Sequence, residues 1–170
     1  MGEGPGAGRP TIAIDSRSHD DDRATVERQL GRPPRAFRRV VVRCPFGRPA
    51  VTEQSAYDDT GHPFPTTFWL TCPYLVAAVS RVEAEGGVER WSRAAADDPA
   101  LESSLAQAHA EQRTLRPELD VGVGGARPNA ASLKCLHAHV AFALARPGYE
   151  LGERIAAEIE PRWPPVCCSA

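Results

Sequence analysis

The sequence predicts an α+β fold, with a small antiparallel or mixed sheet of two to four strands packed by three to five helices. Three observations carry this. Short β-branched and apolar runs with period-two alternation are confined to residues 37–71. Apolar residues at helical spacing fill the second half, with Gly and Pro between the segments. Strands first and helices after is the order of an α+β domain, not of an alternating α/β one. The chain of 170 residues suits one domain. At that size it buries roughly 70% of its unfolded surface and needs no disulfide or metal merely to fold.

Taken in order, residues 1–22 are rich in Gly, Ser and Asp without hydrophobic periodicity and read as a disordered tail. Residues 23–160 form the domain. A short helix is expected from Thr25, as its cap, to Leu30, ended by Gly31 and the Pro33-Pro34 pair. Phe37 to Arg43 reads as a strand with Val40, Val42 and Cys44 on one face. Pro45, Gly47 and Pro49 break the chain, and Ala50 to Gln54 returns. Thr66 to Thr71 is the next strand, placing Phe68, Leu70 and Cys72 on one side. Leu75, Val76, Val79 and Val82 mark a helix from Tyr74 to Glu85, stopped at Gly86-Gly87. Another amphipathic piece spans Val88 to Ala96. Asp98-Pro99 is an N-cap followed by Pro at the first helical position, opening a helix to Leu115. A glycine-rich loop covers Asp120 to Asn129. Asn129 or Ser132 then caps a helix reaching Ala145, a last helix runs from Leu151 to Glu160, and 161–170 is a Pro/Cys-rich tail.

Composition narrows the function classes. A formal net charge of −2 argues against a dedicated nucleic-acid binder. No stretch approaches the ~18 apolar residues of a membrane span, and residues 1–22 lack a secretory apolar core, so a cytoplasmic setting without membrane insertion is expected. Lys134 is the sole lysine; every other cationic side chain of that pair is arginine, as suits a GC-rich genome. Five cysteines, an odd number, fit poorly with a disulfide scaffold. In a reducing compartment they are buried hydrophobes, metal ligands or redox groups.

Cys44 and Cys72 each precede Pro and so sit at strand exits, because Pro cannot donate to a ladder. Cys135 lies at the start of a helix, followed by His137 and His139. Thiolate and imidazole together are a zinc-preferring set. On a regular helix i and i+4 share a face while i and i+2 point about 200° apart. Cys135 with His139 is therefore the first pairing expected, His137 the second, with His137 joining the stripe of Leu133, Val140 and Leu144. The same three cysteines as plain core residues is the competing reading. Cys167-Cys168 is read as part of a mobile tail, with oxidation as an alternative.

Arg-Cys-Pro-Phe-Gly (43–47), Pro-Phe-Pro-Thr-Thr-Phe-Trp-Leu-Thr-Cys-Pro (63–73), Gly-Val-Gly-Gly (122–125) and Lys-Cys-Leu-His-Ala-His (134–139) resemble the signature blocks of domain-of-unknown-function family 501. This is an uncharacterised bacterial, mainly actinobacterial, family, and the resemblance spans about residues 25 to 155. It implies no activity. It does place Cys44, Cys72, Cys135, His137 and His139 inside signature blocks, which strengthens a metal site holding zinc, with an iron–sulfur cluster as the alternative. Members resemble one another in genomic setting too, near genes of cell division and phosphate metabolism. That supports a second class of function, a metal-free interaction module with a protein partner. A cysteine enzyme with Cys72 or Cys135 as nucleophile is the third.

The loop with Gly122, Gly124 and Gly125, near Arg127 and Lys134, is a candidate anion site formed by backbone N–H groups and cations. It matches no P-loop pattern. His109 and Arg113, spaced i, i+4, either face solvent or reach an anion, and His62 is a reserve ligand. Phe64, Phe68 and Trp69 are expected in the core or a pocket wall, and Arg35, Arg38, Arg39 and Arg43 along a protected strand edge.

Overall fold

The computed structural model of the protein describes residues 16–168. Among the described residues it is an α+β fold of three strands and six α-helices: α1 (Ser16–Leu30), β1 (Phe37–Arg43), β2 (Pro49–Gln54), β3 (Phe68–Leu70), α2 (Pro73–Ala84), α3 (Gly87–Asp97), α4 (Pro99–Leu115), α5 (Leu136–Ala145) and α6 (Glu150–Ala157). A short 3₁₀ turn, Val123–Gly125, interrupts the long loop between α4 and α5. No helix among the described residues is long and apolar enough to cross a membrane.

The sheet is antiparallel throughout, in the order β1-β2-β3, with Val51 opposite both Val42 and Leu70. Alternation along β3 is as expected: Phe68, Leu70 and Cys72 are buried. The outward Trp69 carries the Arg32 guanidinium at 4.9 Å. β1 does not alternate cleanly, because register shifts between Phe37 and Arg39 and again around Val42 rotate its side chains.

Burial centres on α5. Its sequence, LHAHVAFALA, is apolar on every side, and seven of its ten residues are buried. A helix of that kind must be surrounded. β3, α2, α6 and the 3₁₀ turn all pack on it, while α1 covers β1 and β2, and α3 and α4 close the remaining side. Phe142 joins two layers, meeting Phe68 edge-on at 5.5 Å between centroids and Tyr149 at 5.8 Å. Fully burying a side chain of this size is worth about 3 kcal/mol.

Two stretches expected to be tails are ordered at their inner ends. Helix α1 starts at Ser16, inside the segment read as disordered; residues 1–15 lie outside the described residues. Asp22, one of the charges that suggested disorder, takes the Arg43 guanidinium at 2.6 Å, and the His19 ring lies 5.2 Å from that of Phe37. Thr25 is not a cap; it sits mid-helix with its hydroxyl donating to Asp21 O. At the other end, Tyr74 Oη donates to Pro161 O at 2.6 Å, Trp163 packs against the core and Cys168 meets Cys72, so residues 161–168 return to the start of α2.

His139, expected to face a metal, is instead wholly buried in α5, its Nδ1 2.7 Å from Tyr149 Oη. Burial pushes its pKa down to about 3, helped by the nearby His109, and pushes the Tyr149 hydroxyl above its ordinary range. Unfolding returns His139 to about 6.5, where it binds a proton the folded state refuses. Stability from this group is therefore complete above about pH 6.5 and is lost as pH falls toward 3. Urea titrations should show wild type losing about 2 kcal/mol between pH 6.5 and 5 from this group. His139→Gln should have a correspondingly flatter profile; equal slopes would refute the assignment.

Candidate metal centre

The most chemically loaded point of the structure is where α5 emerges from the core. The helix begins at Leu136, later than the Asn129 or Ser132 start expected, because the residues before it are used otherwise. Cys135 occupies the N-cap position in extended backbone (φ −162°, ψ 127°) and its side chain caps nothing. The cap comes from another element: the Leu136 N–H donates to Glu83 Oε1, in the last turn of α2, at 2.6 Å. A side chain freed from capping and a carboxylate brought in from outside thus meet at one helix start.

His137 completes the group. Its Nδ1 lies 3.6 Å from Cys135 Sγ and 3.2 Å from Glu83 Oε1. Its Nε2 faces the Val76 carbonyl at 3.1 Å and Ser80 Oγ at 3.2 Å, so the ring is held at both ends. The hydrogen bond with Cys135 is the main reason that His137 is raised to about 9, with the Glu83 and Cys135 charges adding and partial burial opposing. The three ligand atoms all lie within 4.8 Å of one another, the one such group of three or more His, Cys, Asp or Glu among the described residues.

This arrangement reverses the expected order of the histidines. Because α5 starts one residue after Cys135, Cys135 and His139 are not an i, i+4 pair on a regular helix, and Cys-x-His is the pair in contact. Two residues along α5 turn His139 about 200° away from His137 and into the core. Glu83 was not singled out from the sequence. The available signal was its position at i+7 from Val76 and i+3 from Ser80, which extends one stripe of α2 with a carboxylate.

Cys44 and Cys72 are not brought to this group. Cys44 is buried at the end of β1 in a tight turn, its N–H donating to Arg48 O and its carbonyl accepting from Gly47 N. Cys72, 2% exposed, precedes α2 with its Sγ 3.6 Å from Cys168 Sγ, and burial pushes the Cys72 thiol up to about 11.

The glycine loop is shaped by contact more than by donors. A Cβ at Gly122 would stand 2.4 Å from His109 Nδ1, and one at Gly124 would stand 2.9 Å from Ala138 Cβ. Far from facing solvent, His109 is 1% exposed. Its Nδ1 accepts from Val123 N at 3.0 Å, its Nε2 donates to Ala130 O at 3.2 Å, and burial lowers its pKa. Lys134 Nζ donates to Gly125 O at 3.3 Å. His62 belongs to a turn whose Asp58 carboxylate accepts from Thr60 and from the His62 N–H. Of the arginine run, Arg38 and Arg39 both reach Glu53.

Residues 40–120 match the family model described as protein of unknown function (DUF501), bearing out the family resemblance over β1 to the end of α4. No curated protein and no solved structure matches the chain.

Burial ranks the thiols. With native reduced protein and iodoacetamide, Cys168, then Cys135 and Cys167, should be alkylated first, and Cys44 and Cys72 should react at comparable rates only in denaturant. Peptide mass spectrometry reads this directly; rapid native labelling of Cys72 would contradict the packing described.

Proposed function

We propose that this chain, carrying a domain of that family over residues 40–120, binds a divalent metal ion, zinc foremost, through Cys135 Sγ, His137 Nδ1 and a Glu83 carboxylate oxygen. One observation supports it above the others. The imidazole turns Nδ1 toward a thiol and a carboxylate, while Nε2 lies against the Val76 carbonyl at 3.1 Å. A ligating histidine ordinarily donates its second N–H to such an acceptor, which fixes the tautomer and aims the free lone pair.

The donor set also fits in size. Tetrahedral zinc with bonds near 2.0–2.3 Å separates its ligand atoms by about 3.5 Å. The Cys135–His137 and His137–Glu83 spacings are 3.6 and 3.2 Å. Three protein ligands leave a fourth position for water or another ligand, the arrangement of catalytic rather than structural zinc. When bound, the ion would supply Lewis acidity at that position. A single cysteine in the group favours zinc over an iron–sulfur cluster, which is usually held by several thiolates. In the absence of metal the same contacts place an imidazole beside a thiol at a helix N-terminus. That 3.6 Å contact supports a second reading, Cys135 as a nucleophile with His137 as its base.

Cobalt(II) titration separates the two. Wild type should bind one equivalent and show a thiolate-to-cobalt absorption band. Cys135→Ser should abolish the band, His137→Ala and Glu83→Gln should weaken binding at least about tenfold, and Cys44→Ser and Cys72→Ser should retain it. Absence of stoichiometric binding to folded wild type would overturn the metal reading and leave the nucleophile.

A further inference from the structure

Between the 3₁₀ turn and α5 the chain wraps around a cavity of about 530 Å³ lined by Gly125, Ala126, Arg127, Asn129, Ala130, Ser132 and Lys134. Its lining holds two cations and no carboxylate. Three other cavities each include an acid in their walls as well as an arginine: Glu102 and Arg113, Glu53 and Arg39, and Glu111 and Arg146. In the last two the acid and an arginine are paired directly. Arg127, by contrast, makes no ion pair among the described residues, and Lys134 Nζ touches only the Gly125 carbonyl.

The backbone adds donors. The N–H groups of Arg127, Asn129, Ser132 and Lys134 reach no protein acceptor among the described residues. The loop carrying them is anchored along its length. Gly125 abuts Pro65, His109 holds the Ala130 carbonyl at 3.2 Å, and the Leu133 N–H donates to Ser92 Oγ at 3.0 Å. A concave surface with two cations and no carboxylate, on an anchored loop that leaves four backbone N–H groups without a protein acceptor, has the chemistry of an oxyanion receptor.

We propose that this cavity binds a phosphate-class oxyanion, with Arg127 and Lys134 as its cations and the backbone of 127–134 as its cradle. The glycines set the loop's shape; the donors come from the residues after them. This site stands apart from the metal reading, although Lys134 and Cys135 are consecutive. A phosphate group on an organic ligand and free phosphate share the recognition chemistry, so both enter the test.

Because Lys134 is the sole lysine, reductive ¹³C-methylation of the full chain places one ε-dimethylamino signal at the cavity, with the α-amino signal as internal reference. Titration with inorganic phosphate at fixed ionic strength should shift the Lys134 signal saturably, and sodium chloride should not. Arg127→Ala, which breaks no ion pair, should raise the half-saturating phosphate concentration at least about tenfold. Arg93→Ala on α3 should leave it unchanged. Tighter response to adenosine monophosphate would assign the site to phosphate esters, and tighter response to inorganic phosphate to the free ion. Retention of the response in Cys135→Ser would keep this site standing even if the metal reading fails. A phosphate shift no larger than that of chloride, or an unaltered titration in Arg127→Ala, overturns the proposal.

Discussion

The fold follows from the need to enclose α5. A ten-residue helix with apolar side chains on every face cannot lie on a surface, so the sheet, two helices and a loop must close around it. That requirement fixes what the other elements do. β3 turns Phe68 and Leu70 toward the helix, α2 supplies Leu75 and Val79, and α6 supplies Leu151 and Ile155, all of them buried. Because the enclosure is complete along most of the helix, chemistry accessible from outside is confined to its N-terminal end.

Enclosure also dictates how polar groups are treated. Buried polar side chains need fixed partners. His139 meets Tyr149, His109 takes the Val123 N–H, and Gln112 donates to Thr67 at 2.7 Å. Arg116, buried, reaches the Phe64 and Gln54 carbonyls and so ties the end of α4 to the sheet. These contacts join segments far apart in sequence. They tie down the loops that carry the surface groups, the glycine loop through His109 at Val123 and Ala130.

Elements governed by local rules were legible in the sequence. Phe37–Arg43 and the Asp98-Pro99 helix start are legible to the residue, since β-branched composition and capping need only neighbours; the Asp98 carboxylate indeed accepts from Ala100 N. What escaped depends on partners from elsewhere. The acidic run before Thr25 looks disordered until Arg43 arrives to pair with it. α5 starts later than its neighbouring residues suggest, because Glu83, 53 residues away, supplies its cap. That later start leaves Cys135 outside the helix beside His137, with His139 turned into the core. Cys135 and His137 were legible as a pair by composition, whereas their carboxylate partner was not.

Glu83 therefore does two jobs with one oxygen. It closes the first turn of the most buried helix and stands beside Nδ1 of the imidazole. Genetically, residue 83 is pleiotropic. Alanine removes both roles together. Glutamine keeps an acceptor for the Leu136 amide while giving up the charge, and aspartate keeps the charge while shortening the reach. Any change in the preference of this surface group must also be compatible with how the innermost helix begins, so chemistry and architecture cannot diverge independently at this position.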